Sequence, residues 1–149
     1  MLASSQIPME IAKLLSEQPL AVLATECNGI PHACLMAFVV SPNLRELHFA
    51  TARNTLKFTN LKSNENVSLL IENGEVRTRG LGAGLALTLN GKAAEIQGAA
   101  RESALAMLLQ KHPGLKDFLT TSDLALVTVL LSNAYLVMPY KKVCFYEFI

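Results

Sequence analysis

The chain predicts a mainly β fold with flanking helices, an α+β domain whose strands curl into an antiparallel or mixed barrel. Apolar runs of strand length recur along it, punctuated by Asn-Gly pairs and prolines. Helical spacing of apolar residues is confined to short, separate stretches. The order is a hairpin meander of three strands, one helix and a further strand. That order lacks the strict alternation of repeated βαβ units.

With 149 residues, of which 51% are hydrophobic, the chain is one domain over residues 1–149 with a sizeable core. A formal net charge of +1 argues against a nucleic-acid surface. No apolar run reaches the roughly 20 residues of a membrane span, so the apolar excess is expected at a buried subunit interface, a homodimer. Glu10 and Lys13 interrupt the N-terminal region, and no basic leader precedes an apolar stretch. Cys27, Cys34 and Cys144 are widely spaced with no CxxC pair, so neither a zinc ribbon nor a dithiol motif is expected. A reducing cytoplasm is the simplest setting.

Residues 7–17 carry Ile7, Ile11, Leu14 and Leu15 at helical spacing, with Ser5 and Pro8 as start signals. Pro19 ends that helix. Leu20 to Thr25 is an apolar strand, Asn28-Gly29 a tight turn, and Pro31 to Val40 the returning strand. In that second strand His32, Cys34, Met36 and Phe38 share one face, and Ala33, Leu35, Ala37 and Val39 the other. Residues 45–51 form a third strand after Ser41-Pro42-Asn43. A helix from Asn54 to about Ser63 points Leu56, Leu61 and Phe58 inward, and Asn64 ends it. Val67 to Ile71 is a fourth strand. Glu72 to Gly84, with Asn73-Gly74, Arg77, Arg79, Gly80 and Gly82, is expected as a loop whose arginines can approach an anion or simply be solvated. Leu85 to Gln97 alternates as a strand, with Asn90-Gly91 marking a bulge or turn. Ala99 to Lys111 is a helix with Ala104, Leu105, Leu108 and Leu109 on one face, stopped by His112-Pro113-Gly114. Leu124 to Leu131 is apolar on both faces, which suits a central strand or one covered by a second subunit. Ser132-Asn133 then allows a bend or bulge, Tyr135 to Met138 continues the strand, and Val143 to Phe148 alternates again.

The stretch that carries chemistry runs from Leu47 to Leu61. A strand feeds a helix through Thr51-Ala52-Arg53-Asn54-Thr55. The first amides of such a helix lack internal partners, and its dipole adds partial positive charge. Arg53 adds a forked donor, Lys57 a mobile ammonium, and Thr51 and Thr55 hydroxyl donors. A phosphate monoester fits this set, although Arg and Lys at a strand–helix turn are also ordinary surface residues. Neither GxxxxGK[ST] nor GxGxxG occurs, so a nucleoside triphosphate loop is not expected.

No catalytic side-chain constellation is evident. There is no GxSxG, and the carboxylates are scattered along the chain. Cys34 reads as a small strand residue. His32, His48 and His112 have no partner at metal-ligand spacing; His48 reads as a packed or surface residue, and His32 as a ligand-facing or β-surface one. An enzyme of this composition would take its reactivity from a cofactor.

Leu20 to Thr25, Asn28-Gly29, Pro31-His32, Leu47 to Arg53, Lys57 to Leu61 and Asn64 to Leu70 together resemble the pyridoxamine 5′-phosphate oxidase-like family of FMN-binding split barrels. The resemblance is best over residues 7–72, and the order of elements fits to the end. It implies a six- or seven-stranded Greek-key split β-barrel, a homodimer holding FMN between subunits. It also implies an oxidoreductase that uses flavin to pass hydride or electrons between a small-molecule substrate and an electron donor. By position, Arg53 and Lys57 would pair with the flavin phosphate. Thr51, Ala52, Asn54 and Thr55 would give amide or hydroxyl donors. The backbone of Ala33, Cys34, Leu35 and Met36 would run beside the isoalloxazine ring. The C-terminal stretch Met138 to Ile149 lacks the Arg- and Trp-bearing substrate grip of the true oxidase, so vitamin B6 oxidation is not implied. Related split barrels bind haem or a deazaflavin, and the alternative is a non-catalytic flavin store or haem-binding protein.

Overall fold

In the computed structural model, which describes residues 7–80, 83–139 and 142–148 with Val76 and Arg77 as backbone alone, the sheet is bent into a barrel by a single residue. The strands are β1 (Leu20–Cys27), β2 (Ile30–Ala37), β3 (Val39–Val40), β4 (Glu46–Ala52), β5 (Asn66–Glu72), β6 (Ala86–Glu95), β7 (Leu124–Met138) and β8 (Lys142–Glu147). They pair in the order β2-β1-β5-β6-β7-β4-β3, with β8 also on β7. Every pairing is antiparallel. β2 and β3 therefore stand at opposite ends of the path, yet only Phe38 separates them in the chain. The sheet must curl until its ends meet there, and Phe38 is fully buried at the seam. The second strand is thus broken at Phe38 rather than continuous to Val40: the backbone leaves β1 and takes β4 as its partner, Val39 opposite His48. That break raises the strand number from the expected six or seven to eight.

Register separates inside from outside. One cross-strand row runs Cys34, Leu23, Leu69, Leu89, Ala134, Tyr146, and from Leu23 onward every member is buried. The adjacent row runs Leu35, Val22, Leu70, Thr88, Tyr135, Phe145 on the outer face. There Leu35 is 64% exposed, Leu70 44%, Tyr135 44% and Phe145 40%. A strand with one face in a core and the other in water should alternate apolar and polar. Here the outer row is apolar in five of its six strands, Thr88 of β6 being the exception.

The helices are α1 (Met9–Glu17), α2 (Leu56–Ser63), α3 (Glu75–Arg79), α4 (Gly98–Lys111) and α5 (Lys116–Leu119), with a 3₁₀ turn at Pro113–Leu115. α1 buries Ile11, Leu14 and Leu15. α4 packs Ala104 and Leu108 against Val39, Leu124 and Leu126 in a second core outside the barrel. This explains why the first half of β7 is apolar on both faces: Ala125, Val127 and Val129 enter the barrel and α4 covers the other side. α2 buries Phe58, Asn60 and Leu61, whereas Leu56 is 56% exposed, contrary to its expected inward face. Leu56 is the first helical residue and falls outside the i, i+3 stripe of Phe58 and Leu61. The 72–84 stretch, expected as a loop, holds α3, with an Arg79–Glu75 ion pair at 3.5 Å. Ser5, the Arg77 side chain and Gly82 lie outside the described residues. Among the described residues no helix is long and apolar enough to cross a membrane.

His48 sits buried on β4, its Nδ1 2.8 Å from Thr128 Oγ1. Burial pulls its pKa below the ordinary 6.5, with Glu46 opposing. Such a base binds fewer protons folded than unfolded. Its contribution to stability is full above the unfolded pKa and is lost as pH falls toward the folded one. Urea midpoints taken at about pH 7.5 and about pH 5 are expected to drop more for the native chain than for His48→Gln; equal drops would exclude His48 as the source.

Candidate functional site

The β4–α2 turn is built from its own hydroxyls. Thr51 is 1% exposed, and its Oγ1 lies 2.9 Å from Thr55 Oγ1. Thr55 donates to Ala52 O at 2.9 Å and, as the N-cap of α2, accepts from Phe58 N at 3.4 Å. Such a cap satisfies one of the free helix amides. The two threonines read as anion donors are therefore spent largely on shaping the turn. Asn54 is exposed at its tip and Ala52 half-buried.

Arg53 and Lys57, linked in the sequence by proximity, are put to different uses. Arg53 makes a forked pair with Glu95, Nη1–Oε1 2.9 Å and Nη2–Oε2 2.5 Å, and lies 3.6 Å from Asp123. Its backbone N–H donates to Asp123 O at 3.3 Å, and its guanidinium stands 5.6 Å from the Phe58 ring centroid. Topology assembles this cluster: β4 and β6 both flank the start of β7, so residues at their ends converge. Glu95, 10% exposed, is also 3.7 Å from Lys62 and accepts from Gln97. The Arg53 hydrogen bonds hold its carboxyl below the usual range despite burial. No local spacing links Glu95 to Arg53, so the sequence carries no sign of this partner.

In a double-mutant cycle read by Tm, Arg53→Ala and Glu95→Ala are expected to be non-additive, the double variant losing less than the sum of the two single losses, with the coupling kept small by the exposure of Arg53. Additive losses in Tm would show the fork to be energetically idle.

Lys57 lines a different space. A cavity of about 300 Å³ opens between β2, β4, α4 and α5. Leu35, Met36 and Ala37 of β2 form one side, and Leu115, Phe118 and Leu119 another; among the described residues Lys57 is the one charged residue lining it. Of the four β2 residues expected beside a ligand, Leu35 and Met36 reach this cavity. Ala33 and Cys34 do not line it: Ala33 is exposed and Cys34 packs against the barrel core. β2 ends the pairing path, so among the described residues its second backbone edge has no strand partner. Free amides and carbonyls, an apolar wall and one ammonium therefore share one opening. Phe118, Leu115 and Leu119 come from a segment read only as a brief turn, whose composition gives no hint of a ligand wall. Among the described residues no group of three His, Cys, Asp or Glu is placed to hold a metal.

The solved structures similar to this chain include the haem-binding protein of Mycobacterium smegmatis (TM-score 0.83, 18% identity, covering 93% of this chain and 56% of that one). Others are the haem storage protein HutZ of Vibrio cholerae (0.71, 19%, 91% and 91%) and an FAD-binding protein of Mesorhizobium loti (0.67, 17%, 88% and 94%). The chain thus spans just over half the length of the Mycobacterium protein. At these identities the likeness establishes the split-barrel fold alone. No curated protein matches the chain. The family model described as pyridoxamine 5′-phosphate oxidase matches residues 7–126, which include the strand–turn–helix and all of β2, and on that match the chain belongs to the pyridoxamine 5′-phosphate oxidase family.

Proposed function

We propose that the cavity beside β2 holds FMN and that the protein is a flavin-dependent oxidoreductase of a small-molecule substrate. The observation that carries this reading is the convergence of Lys57 and the unpaired edge of β2 on one cavity. An ammonium at one end suits a phosphate, and open backbone donors and acceptors suit the heteroatom rim of an isoalloxazine. Met36, Leu115 and Phe118 supply the apolar surface a planar ring system needs. When bound, the flavin supplies hydride or electron transfer; the chain binds it, orients it and excludes water.

Haem is the second reading, prompted by the names of two structural relatives. The lining favours flavin. Among the described residues no histidine, cysteine or tyrosine lines the cavity, which leaves only Met36 and the Lys57 amine there as possible iron ligands. His48 is bonded to Thr128 and His112 to Phe38 O.

The outer apolar band supports a homodimer. It continues into the cavity rim, since Leu35 belongs to both. A second copy laid on the band would cover exposed Leu35, Leu70, Tyr135 and Phe145 and close the cavity. Leu70→Lys, which is away from this cavity, is expected to halve the mass seen by light scattering and to weaken flavin retention about tenfold or more. A dimer that survives unchanged would place the interface elsewhere.

The primary test is a visible spectrum of the purified protein after incubation with FMN and desalting, followed by chromatography of the released cofactor. Stoichiometric FMN supports the reading, a Soret band replaces it with haem, and colourless protein refutes both.

A further inference from the structure

A second cavity, sharing no lining residue with the first, lies between α1, β3 and α4. It measures about 310 Å³ and is lined by Ser16, Val39, Val40, Met107, Gln110 and Lys111. Lys111 is the last residue of α4 and is half-buried. Its Nζ stands 4.0 Å over the Phe38 ring and 3.5 Å from Leu15 O. Among the described residues, no carboxylate lies within ion-pairing distance of it. The neighbouring His112 is turned away to Phe38 O at 2.8 Å. A lysine at a protein surface is normally hydrated or ion-paired, whereas this half-buried one has a backbone carbonyl and an aromatic ring face as its contacts and shares an open cavity with two valines.

We propose that Lys111 is a nucleophilic amine that condenses reversibly with small uncharged aldehydes or ketones entering this cavity. The Nζ lone pair attacks the carbonyl carbon, the carbonyl oxygen leaves as water with both amine protons, and a C=N bond replaces C=O. The step needs no oxidant or reductant. Desolvated lysines in apolar pockets are the usual amines for this chemistry, because losing water disfavours the ammonium. Burial alone lowers the pKa of Lys111 to about 8, and no charge on α1, β3 or α4 contributes to the shift. At about pH 7.5 that leaves roughly a quarter of the amine neutral, against about one part in a thousand for an ordinary lysine. The Leu15 O contact, the Phe38 ring face and the α4 C-terminus favour the ammonium and oppose that shift. The substrate class follows from the lining. Valines and a methionine accept a short hydrocarbon, Ser16 and Gln110 are neutral, and among the described residues no second cation lines the cavity to hold a phosphate or carboxylate.

The test uses the native chain, butanal or glyoxylate, and sodium cyanoborohydride to trap the imine, with modified lysines mapped by peptide mass spectrometry. Exposed Lys13, Lys92 and Lys116 serve as internal references. With butanal at about pH 7.5, Lys111 is expected to be alkylated about tenfold or more faster than these, with a rate–pH midpoint near 8 and a smaller advantage with glyoxylate. Val40→Trp, which fills the cavity, is expected to abolish the advantage while leaving the reference lysines unchanged. Labelling of Lys111 no faster than the references, or a midpoint near that of ordinary lysines, would overturn the proposal; both readings come from the native chain and need no variant to fold.

Discussion

Gly91→Ala is expected to lower stability by roughly 3 kcal/mol, the upper range for forcing an added carbon into a packed site, and to lower Tm by about 10 °C for a domain of this size. Gly91 lies in β6 where the register against β7 slips: Asn90 faces Asn133, Gly91 faces Leu131, and Ser132 is the extra residue. The bulge draws the two backbones together. A Cβ on Gly91 would meet Leu130 O at 2.4 Å and Val129 Cγ1 at 2.8 Å. The valine methyl group can rotate away, but the carbonyl cannot move without parting β6 from β7. β6 is held on both sides, by β5 and by β7, so the strain has no free edge into which to relax. Conformation is not the constraint, because Gly91 is absent from the positive-φ glycines, unlike Gly29 at φ 79°. A urea or thermal midpoint within 1 kcal/mol or so of native would show that the barrel yields at this point more easily than close packing allows.

The features legible in the sequence were those with a local cause. Asn28-Gly29 marks the first hairpin because both residues take positive φ, 53° and 79°, and the turn fixes Cys27 opposite Ile30. Asn90-Gly91 with Ser132-Asn133 marks a bulge because glycine and small polar residues interrupt two apolar runs whose partnership is then found in the sheet. What escaped depends on distant chain. Phe38 continues the alternation of β2 without a breaker, so nothing nearby announces that the backbone changes partner there. Arg53 and Lys57 look equivalent because they are four residues apart on one turn; Glu95, 42 residues beyond Arg53, separates them. The two-faced burial of β7 was readable, while its cover, α4 from the same chain, was not, since a helix stripe does not name the surface it will meet.

That separation of the two cations sets the sharpest expectation for the cofactor reading. Lys57→Ala is expected to weaken FMN binding by about 100-fold, the loss of one charge-assisted contact worth roughly 2–3 kcal/mol. The fold should hold, because Lys57 lies on the partly exposed side of α2 and lines an opening rather than the core. Arg53→Ala is expected to act the other way round: a measurable loss in Tm with a several-fold smaller loss of FMN. Its guanidinium already has a forked carboxylate partner with Lys62 and Asp123 close by, and an incoming phosphate would have to displace Glu95 to reach it. Moving a part-buried carboxylate away from its forked donor is costly, whereas among the described residues Lys57 has no such partner to surrender. Fluorescence titration of FMN against both variants, with thermal melts run alongside, decides between the two roles. Equal loss of FMN from both variants would place Arg53 on the phosphate after all and make Glu95 a gatekeeper for it. Undiminished binding in Lys57→Ala would move the cofactor out of this cavity.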